Sequence, residues 1–370
     1  MKILFDYQIF RAQKYGGVSR YFYEIAKRLS IEKGCNVEIF APLHVNQYLL
    51  STSNMNVTGR KIIKPPYSGF ILRNINSLLT RFFVKPRKDI DIFHETYYSM
   101  IDNCPTTAKR VITVHDMIHE KFAHYFPNYD PTRKHKAHAV NRADHVICVS
   151  ENTRRDLIEL LKVPETKTSV VYHGCSLSLV KDSIIPFKHK KPFILYVGIR
   201  NGYKKFDLLL QAFASSKLLR KEFSIICFGG GKASTNEIKL MKTLNLPSDC
   251  VIYRGGDDSI LAGLYASATV FVYPSLYEGF GIPPLEAMSL GCPVVCANTS
   301  SIPEVVGDAA HLFDPKNQSE LQNAIEKVVS SSEYSARLKA KGYERIKLFS
   351  WEKCTHDTLN VYKKILEMNE

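Results

Sequence analysis

Twice along this chain, short apolar runs alternate with longer amphipathic stretches, and that alternation limits the fold more than any other feature. "KILFDY" reads as a strand, and "SRYFYEIAKRL" follows with Tyr21, Phe22, Ile25 and Leu29 at helical spacing. "NVEIFAP", "DIDIFH", "RVITVHD" and "HVICVS" read as further strands, and "SENTRRDLIELLKV" as a helix with Ser150 at its N-cap. The pattern then restarts. "PFILYVG", "FSIICFGGG", "VIYRGG" and "TVFVYPS" are strands, "KKFDLLLQAFASS" is a helix, and "PLEAMSLG" is a helix closed by Gly291. Strands separated by helices pair in parallel, with helices on both faces. Two such runs predict two Rossmann-like α/β domains, which a chain of 370 residues accommodates. Between the runs, "HGCSLSLVKDSIIPFKHKKP" is polar, basic and aperiodic, so the boundary is placed near residue 185. This gives domains over 1–185 and 186–349. Residues 350–370 form one more helix, capped by Ser350.

Lysine and arginine number 50 against 36 acidic residues, a formal charge of +14. Such a balance suits nucleotide phosphates, nucleic acid or an acidic membrane face. No aromatic-basic motif of a nucleic-acid-binding sheet or barrel is present, so nucleic acid is not expected as a partner. The nine cysteines are odd in number, lack a CxxC pair and sit mostly in apolar runs. They read as reduced, buried thiols of a cytoplasmic protein. Asp6 interrupts the apolar opening where a signal peptide needs a core, and no run reaches the roughly 18–20 residues of a spanning helix.

In open α/β sheets, ligands bind beyond the carboxyl ends of the strands. The residues just after strands are therefore the candidates. Gly16 and Gly17 precede a helix, where glycine lets backbone N–H groups approach an anion. His115 and Asp116 follow "RVITV". His115 and His119 stand four apart, but no third metal ligand accompanies them. Arg200 and Lys204 follow "YVG", and two cations there suit a diphosphate. "FGGGKAS" is not a P-loop, since Ile226 and Ala233 stand where glycine and Ser/Thr are required.

The densest stretch is "SLYEGFGIPPLEAMSLGCPVV". Pro283 and Pro284 mark a helix start, where missing N–H groups cost little. The N–H groups of Phe280, Gly281 and Ile282 are then left for ligand oxygens. Glu286, expected in the first helical turn, can accept a ribose hydroxyl. Glu278, at the start of the loop, can reach the other end of the same ligand.

On these residues the sequence resembles glycosyltransferase family 4, retaining enzymes of the GT-B fold that use nucleotide-activated sugars. "EGFGIPPLE", Glu278 to Glu286, is similar to the family's block of two glutamates with seven residues between them. "FHETYYS", "TVHDMIHE", "YVGIRNGYKKF", "SIPEVVGDAAHLFDP" and "FSWEKC" resemble its other segments, in order. "FDYQIFRAQKYGGVSRYF" resembles a bacterial subgroup of surface-polysaccharide synthesis. The resemblance implies two Rossmann-like domains facing across a cleft, with the C-terminal helix crossing back to the first domain. It implies an acceptor domain first and a donor domain second. Gly16 and Gly17 would approach the donor phosphates, and Arg200 and Lys204 would neutralise the diphosphate. Glu286 would hold the ribose. Glu278 and the backbone of Phe280, Gly281 and Ile282 would hold the sugar, and His115 would contact it. Lys205 departs from the family, where asparagine follows the lysine, so the sequence leaves open which of Lys204 and Lys205 meets the phosphate.

No cofactor is expected beyond the nucleotide sugar itself, a GDP-hexose of mannose type being favoured by subgroup resemblance. No metal is expected: the only DxD, Asp89 to Asp91, leads into a strand. The competing readings are a nucleotide-sugar epimerase and a non-catalytic sugar-binding subunit. From Val57 to Lys88 the chain carries Arg60, Lys61, Lys64, Arg73, Arg81, Lys85, Arg87 and Lys88, interleaved with apolar residues and no acid. That pattern suits a peripheral helix on an anionic membrane surface, and a lipid-linked saccharide as acceptor.

Overall fold

A computed structural model describes residues 1–51, 55–63, 65–175, 184–200 and 202–367. The chain divides into two units, Met1–Gly174 with Trp351–Glu370, and Cys175–Ser350. The change-over lies at 174/175 rather than near 185, and residues 176–183 of the aperiodic stretch fall outside the described residues.

Among the described residues the first unit holds a parallel sheet of β1 (Lys2–Phe5), β2 (Asn36–His44), β3 (Asn56–Lys61), β4 (Ile92–Glu95), β5 (Lys109–Val114), β6 (His145–Cys148) and β7 (Thr168–Val170), in the order β3-β2-β1-β4-β5-β6-β7. The second unit holds β8 (Phe193–Val197), β9 (Ser224–Phe228), β10 (Val251–Arg254), β11 (Val270–Tyr273), β12 (Val294–Ala297) and β13 (His311–Phe313), in the order β10-β9-β8-β11-β12-β13. All pairings are parallel. Both are Rossmann-like α/β domains. In each, the order reverses beside the first strand, between β1 and β4 and between β8 and β11. Such a reversal opens a crevice at the carboxyl ends.

Helix Gly17–Leu29 follows β1 after a five-residue helix, Gln8–Ala12, that is too short to show a period. Its Tyr21, Phe22, Ile25 and Leu29 are fully buried, as their spacing predicts. The C-terminal helix Trp351–Glu367 packs on it, placing Trp351, Leu359, Tyr362 and Ile365 in the same core. Each large side chain buried there stabilises by roughly 1.5–3 kcal/mol. A Cβ on Gly174 would lie 2.5 Å from the Trp351 amide nitrogen, so only glycine lets the chain pass there. The Tyr362 hydroxyl lies 2.6 Å from His94 Nδ1, tying this helix to the end of β4.

Helix Gly69–Phe83 is inverted. Its buried face carries Asn76, Ser77 and Thr80 beside Leu72, while Phe70, Ile71, Leu78, Phe82 and Phe83 each keep more than half of their surface exposed. Asn76 explains the polar inner face. The β2–β3 register shifts between Phe40 and Leu43. There the Asn76 side chain accepts from Leu43 N (2.9 Å) and donates to Leu43 O (3.0 Å), replacing a strand partner.

Candidate active site

In the second unit, the loops after β8 and β11, the two strands flanking the reversal, bring Lys204 and Glu278 together. Lys204 Nζ lies 2.6 Å from Glu278 Oε1 and 3.4 Å from the Tyr273 hydroxyl. Both charged side chains are about 85% buried, with 15% and 14% of their surfaces exposed. The same Nζ sits 5.4 Å over the Tyr273 ring and 5.3 Å over that of Tyr203. Burial first, and then Glu278, push the Tyr273 phenol well above its ordinary range, so it stays a donor.

Backbone contacts fix both loops. Tyr196 donates its hydroxyl to Ile199 O (2.6 Å), and Leu276 N donates to Tyr203 O (2.8 Å). Glu278 N donates to Ser300 Oγ (3.0 Å), and Ser301 Oγ donates to the carbonyls of Glu278 and Phe280, both at 2.8 Å. Lys205 turns away. Its Nζ lies 3.5 Å from Asp207 of the following helix, and its backbone is left-handed at φ 51°. Asparagine is enriched in that conformation, which accounts physically for the residue type the resemblance leads one to expect there.

Helix Ile282–Ser289 begins with Pro283 and Pro284 in its first turn, as predicted, and ends before Gly291. Glu286 is its fifth residue, one turn beyond the position expected for it, where the macrodipole favours a carboxylate less. It is largely buried and accepts from the Tyr265 hydroxyl at 3.2 Å. Phe280 is buried against Phe349, whereas the space beside the Gly281 Cα is open.

Arg200 is not with Lys204. Its side chain, 3% exposed, donates to Glu237 Oε1 at 2.7 Å and to carbonyls of the loop after β9. Sequence reasoning missed Glu237. The signal was present: Ser234 and Glu237 form a reciprocal capping box, readable as S-x-x-E.

Gly16, Gly17 and His115 belong to the first unit. Gly16 is the N-cap of helix Gly17–Leu29, its carbonyl accepting from Ser19 Oγ and Arg20 N, and Gly17 has open space beside its Cα. Tyr21 of that helix packs edge-on against the His115 ring at 5.2 Å. Burial, with Lys136 adding and Asp116 opposing, pushes His115 down to about 4. It is a neutral imidazole at neutral pH, and its Nε2 is enclosed without a hydrogen-bond partner among the described residues. The turn that carries it is held from below. Lys136 is fully buried and donates to Asp116 O and Glu120 Oε2, both at 2.8 Å. His119 faces Asp130 at 3.6 Å. The DxD carboxylates are engaged structurally: Asp89 holds Lys2 and Arg87, and Asp91 accepts from Lys2 N at 2.6 Å.

Two family models cover most of the chain. One described as Glycosyltransferase Family 4 matches residues 15–179, and one described as Glycosyl transferases group 1 matches 180–345. The chain is 28% identical to O-antigen chain mannosyltransferase B of Escherichia coli, over 94% of this chain and 96% of that one. Among solved structures it resembles sucrose-phosphate synthase of Thermosynechococcus elongatus, with a TM-score of 0.76, 20% identity and 99% of each chain covered. It also resembles Anabaena HepE in complex with UDP-glucose, with a TM-score of 0.73, 18% identity, and 98% and 100% covered.

Proposed function

Since the chain belongs to the family 4 glycosyltransferases, we propose that it moves a hexose, mannose being favoured, from a nucleotide diphosphate to a saccharide or lipid-linked saccharide in surface-polysaccharide synthesis, with retention and without a metal. The observation that carries this reading is the Lys204–Glu278 pair at the sheet reversal of the second unit. A 28% identity to an O-antigen mannosyltransferase along nearly its whole length supports mannose and the polysaccharide.

In this reading Lys204 meets the diphosphate and Glu278 the donor sugar. When the anomeric C–O bond breaks, its electron pair leaves with the diphosphate. A preset ammonium stabilises charge that grows at that moment. The acceptor hydroxyl adds to the same face and passes its proton to the departing phosphate. His115 supplies a neutral imidazole to a sugar hydroxyl, Glu286 holds the ribose, and the peptides of Phe280, Gly281 and Ile282 complete the sugar site. Gly16 and Gly17 let backbone N–H groups approach the phosphates. The engagement of Asp89 and Asp91 with Lys2 and Arg87 supports metal-free chemistry.

Transfer assays with GDP-, UDP- and dTDP-hexoses test this directly. GDP-mannose is the expected best donor, with an α product by NMR and activity that survives excess EDTA. Exclusive use of a UDP-sugar would refute the donor, an inverted product the stereochemistry. Loss on chelation that Mg²⁺ or Mn²⁺ restores would refute the metal independence.

The inverted helix Gly69–Phe83 supports a peripheral membrane location. Its apolar face is exposed, and the same span of sequence carries Arg60, Lys61, Arg73, Arg81, Lys85 and Lys88; each basic residue near an anionic surface contributes about 1 kcal/mol. Arg87 is already engaged by Glu38 and Asp89, and Lys64 lies outside the described residues. The protein should co-sediment with anionic vesicles and release as salt screens the charges. Phe70, Leu78 and Phe82 changed together to serine should abolish binding while the melting temperature holds. Equal binding to neutral vesicles, or none to either, would refute the location.

A further inference from the structure

"FGGGK" follows β9 without being a P-loop, and Arg200 gives it a purpose. Gly229, Gly230 and Gly231 take left-handed backbones in succession, with φ of 83°, 69° and 73°. Glycine adopts each of these without the Cβ penalty that other residues carry. The turn aims four consecutive carbonyls at one guanidinium. Arg200 Nη1 donates to Gly229 O at 2.6 Å, and Nη2 lies 3.3, 3.0 and 2.8 Å from the carbonyls of Gly230, Gly231 and Lys232. Nε donates to Glu237 Oε1, and the guanidinium lies 4.7 Å over the Tyr253 ring. A Cβ on Gly230 would come within 2.8 Å of Nη1, so the loop is shaped around the arginine. A guanidinium has five N–H groups, and most are drawn to these acceptors.

We propose that Arg200 is a positioning residue, fastened by Glu237 and the glycine loop, that sets the β8 loop so that Lys204 meets the diphosphate. Arg200 stands four residues before Lys204. Glu237 is itself oriented, because its Oε2 accepts from Ser234 N at 2.5 Å while Oε1 takes the arginine. The inference rests on the reading of Lys204 as the diphosphate cation.

Removing Glu237 separates this role from direct phosphate contact by sign. If Arg200 touches the phosphates, Glu237→Gln deletes a neighbouring negative charge and frees the arginine, so nucleotide binding tightens or holds. If Arg200 positions, Glu237→Gln releases the loop and binding weakens. Calorimetric titration of GDP and UDP into the full chain should show the tighter of the two weakened about tenfold, with kcat falling more than KM rises. Ser234→Ala, which removes the cap and leaves the ion pair, should bind within about twofold of wild type. Arg200→Lys gives a second reading should Glu237→Gln melt early. One ammonium cannot span these acceptors, so it should match Arg200→Ala, whereas a direct phosphate contact would be partly kept. Unchanged or tighter binding by Glu237→Gln, or near-wild-type binding by Arg200→Lys, overturns the proposal. Failure of wild type to bind either nucleotide refutes the nucleotide-sugar reading itself, and this proposal with it.

Discussion

Lys204→Ala lowers kcat/KM for the donor sugar by about 10²–10³-fold, the usual loss when a preset charge opposite a growing oxyanion is removed. Lys205→Ala stays within about threefold, because its ammonium faces Asp207 on the surface. Glu278→Gln depresses kcat more than it raises KM, since the sugar changes shape as its bond breaks. Stability gives a second readout. Lys204→Ala leaves a largely buried carboxylate without its cation, which costs about 3 kcal/mol or more. Removing both charges, as Lys204→Ala with Glu278→Gln, recovers most of that stability and none of the activity. Steady-state kinetics with parallel melting curves measure both. Near-normal kcat/KM in Lys204→Ala sinks the assignment.

The first unit unfolds in mild acid while the second persists. Burial pushes His94 down to about 3 and His115 and His145 to about 4, and holds His173 well below its ordinary value. Above the ordinary imidazole value of about 6.5, folded and unfolded forms are both neutral and this stability is whole. As pH falls from there towards 4, the unfolded chain takes up protons that the folded rings refuse, and stability is lost. For the fully buried His94 alone the loss by pH 4 is on the order of 3 kcal/mol. Glu95, raised to about 7 by burial, and Asp6, raised by burial, act in the opposite direction and gain stability as pH falls. Four rings outweigh two carboxyls. Trp351 is the chain's single tryptophan and lies in the first unit's core, 6.2 Å from the His173 ring. Its fluorescence should therefore change between pH 6.5 and 4, ahead of the far-ultraviolet ellipticity contributed by the second unit. A tryptophan signal that is flat down to pH 4 would contradict this.

The two α/β domains were legible because strand and helix periods are local. Tyr21, Phe22, Ile25 and Leu29 announce their helix without reference to anything distant. Residue types at strand ends were legible for the same reason, so Lys204, Glu278 and His115 could be named. Their partners could not. Glu278 is 74 residues from Lys204, and they meet only because β8 and β11 are neighbours in the sheet. Glu237 is 37 residues from Arg200, and β9 must lie beside β8 before the two can pair. Two cations four residues apart looked alike in sequence, yet one faces a carboxylate at the reversal and the other is enclosed by carbonyls. The inverted helix was half legible. Its apolar residues could be counted, but which face turned outward depended on Asn76 meeting the irregular edge of β2. Helix Gln8–Ala12 and the second-turn place of Glu286 were missed because one turn of helix leaves no period to read.

The first unit is not continuous in sequence: its core needs the helix Trp351–Glu367, while the second unit runs unbroken from Cys175 to Ser350. On the ribosome the order of completion is therefore reversed. The N-terminal strands emerge first but wait for the rest of the chain, a delay on the order of ten seconds or more at usual elongation rates. Throughout that interval Tyr21, Ile25 and Leu29 have no partner helix, and the half-built sheet is a substrate for chaperones. The later-made unit can close as soon as it has emerged. Emergence of the helix Trp351–Glu367 is then the event that allows the earliest-made part to become native.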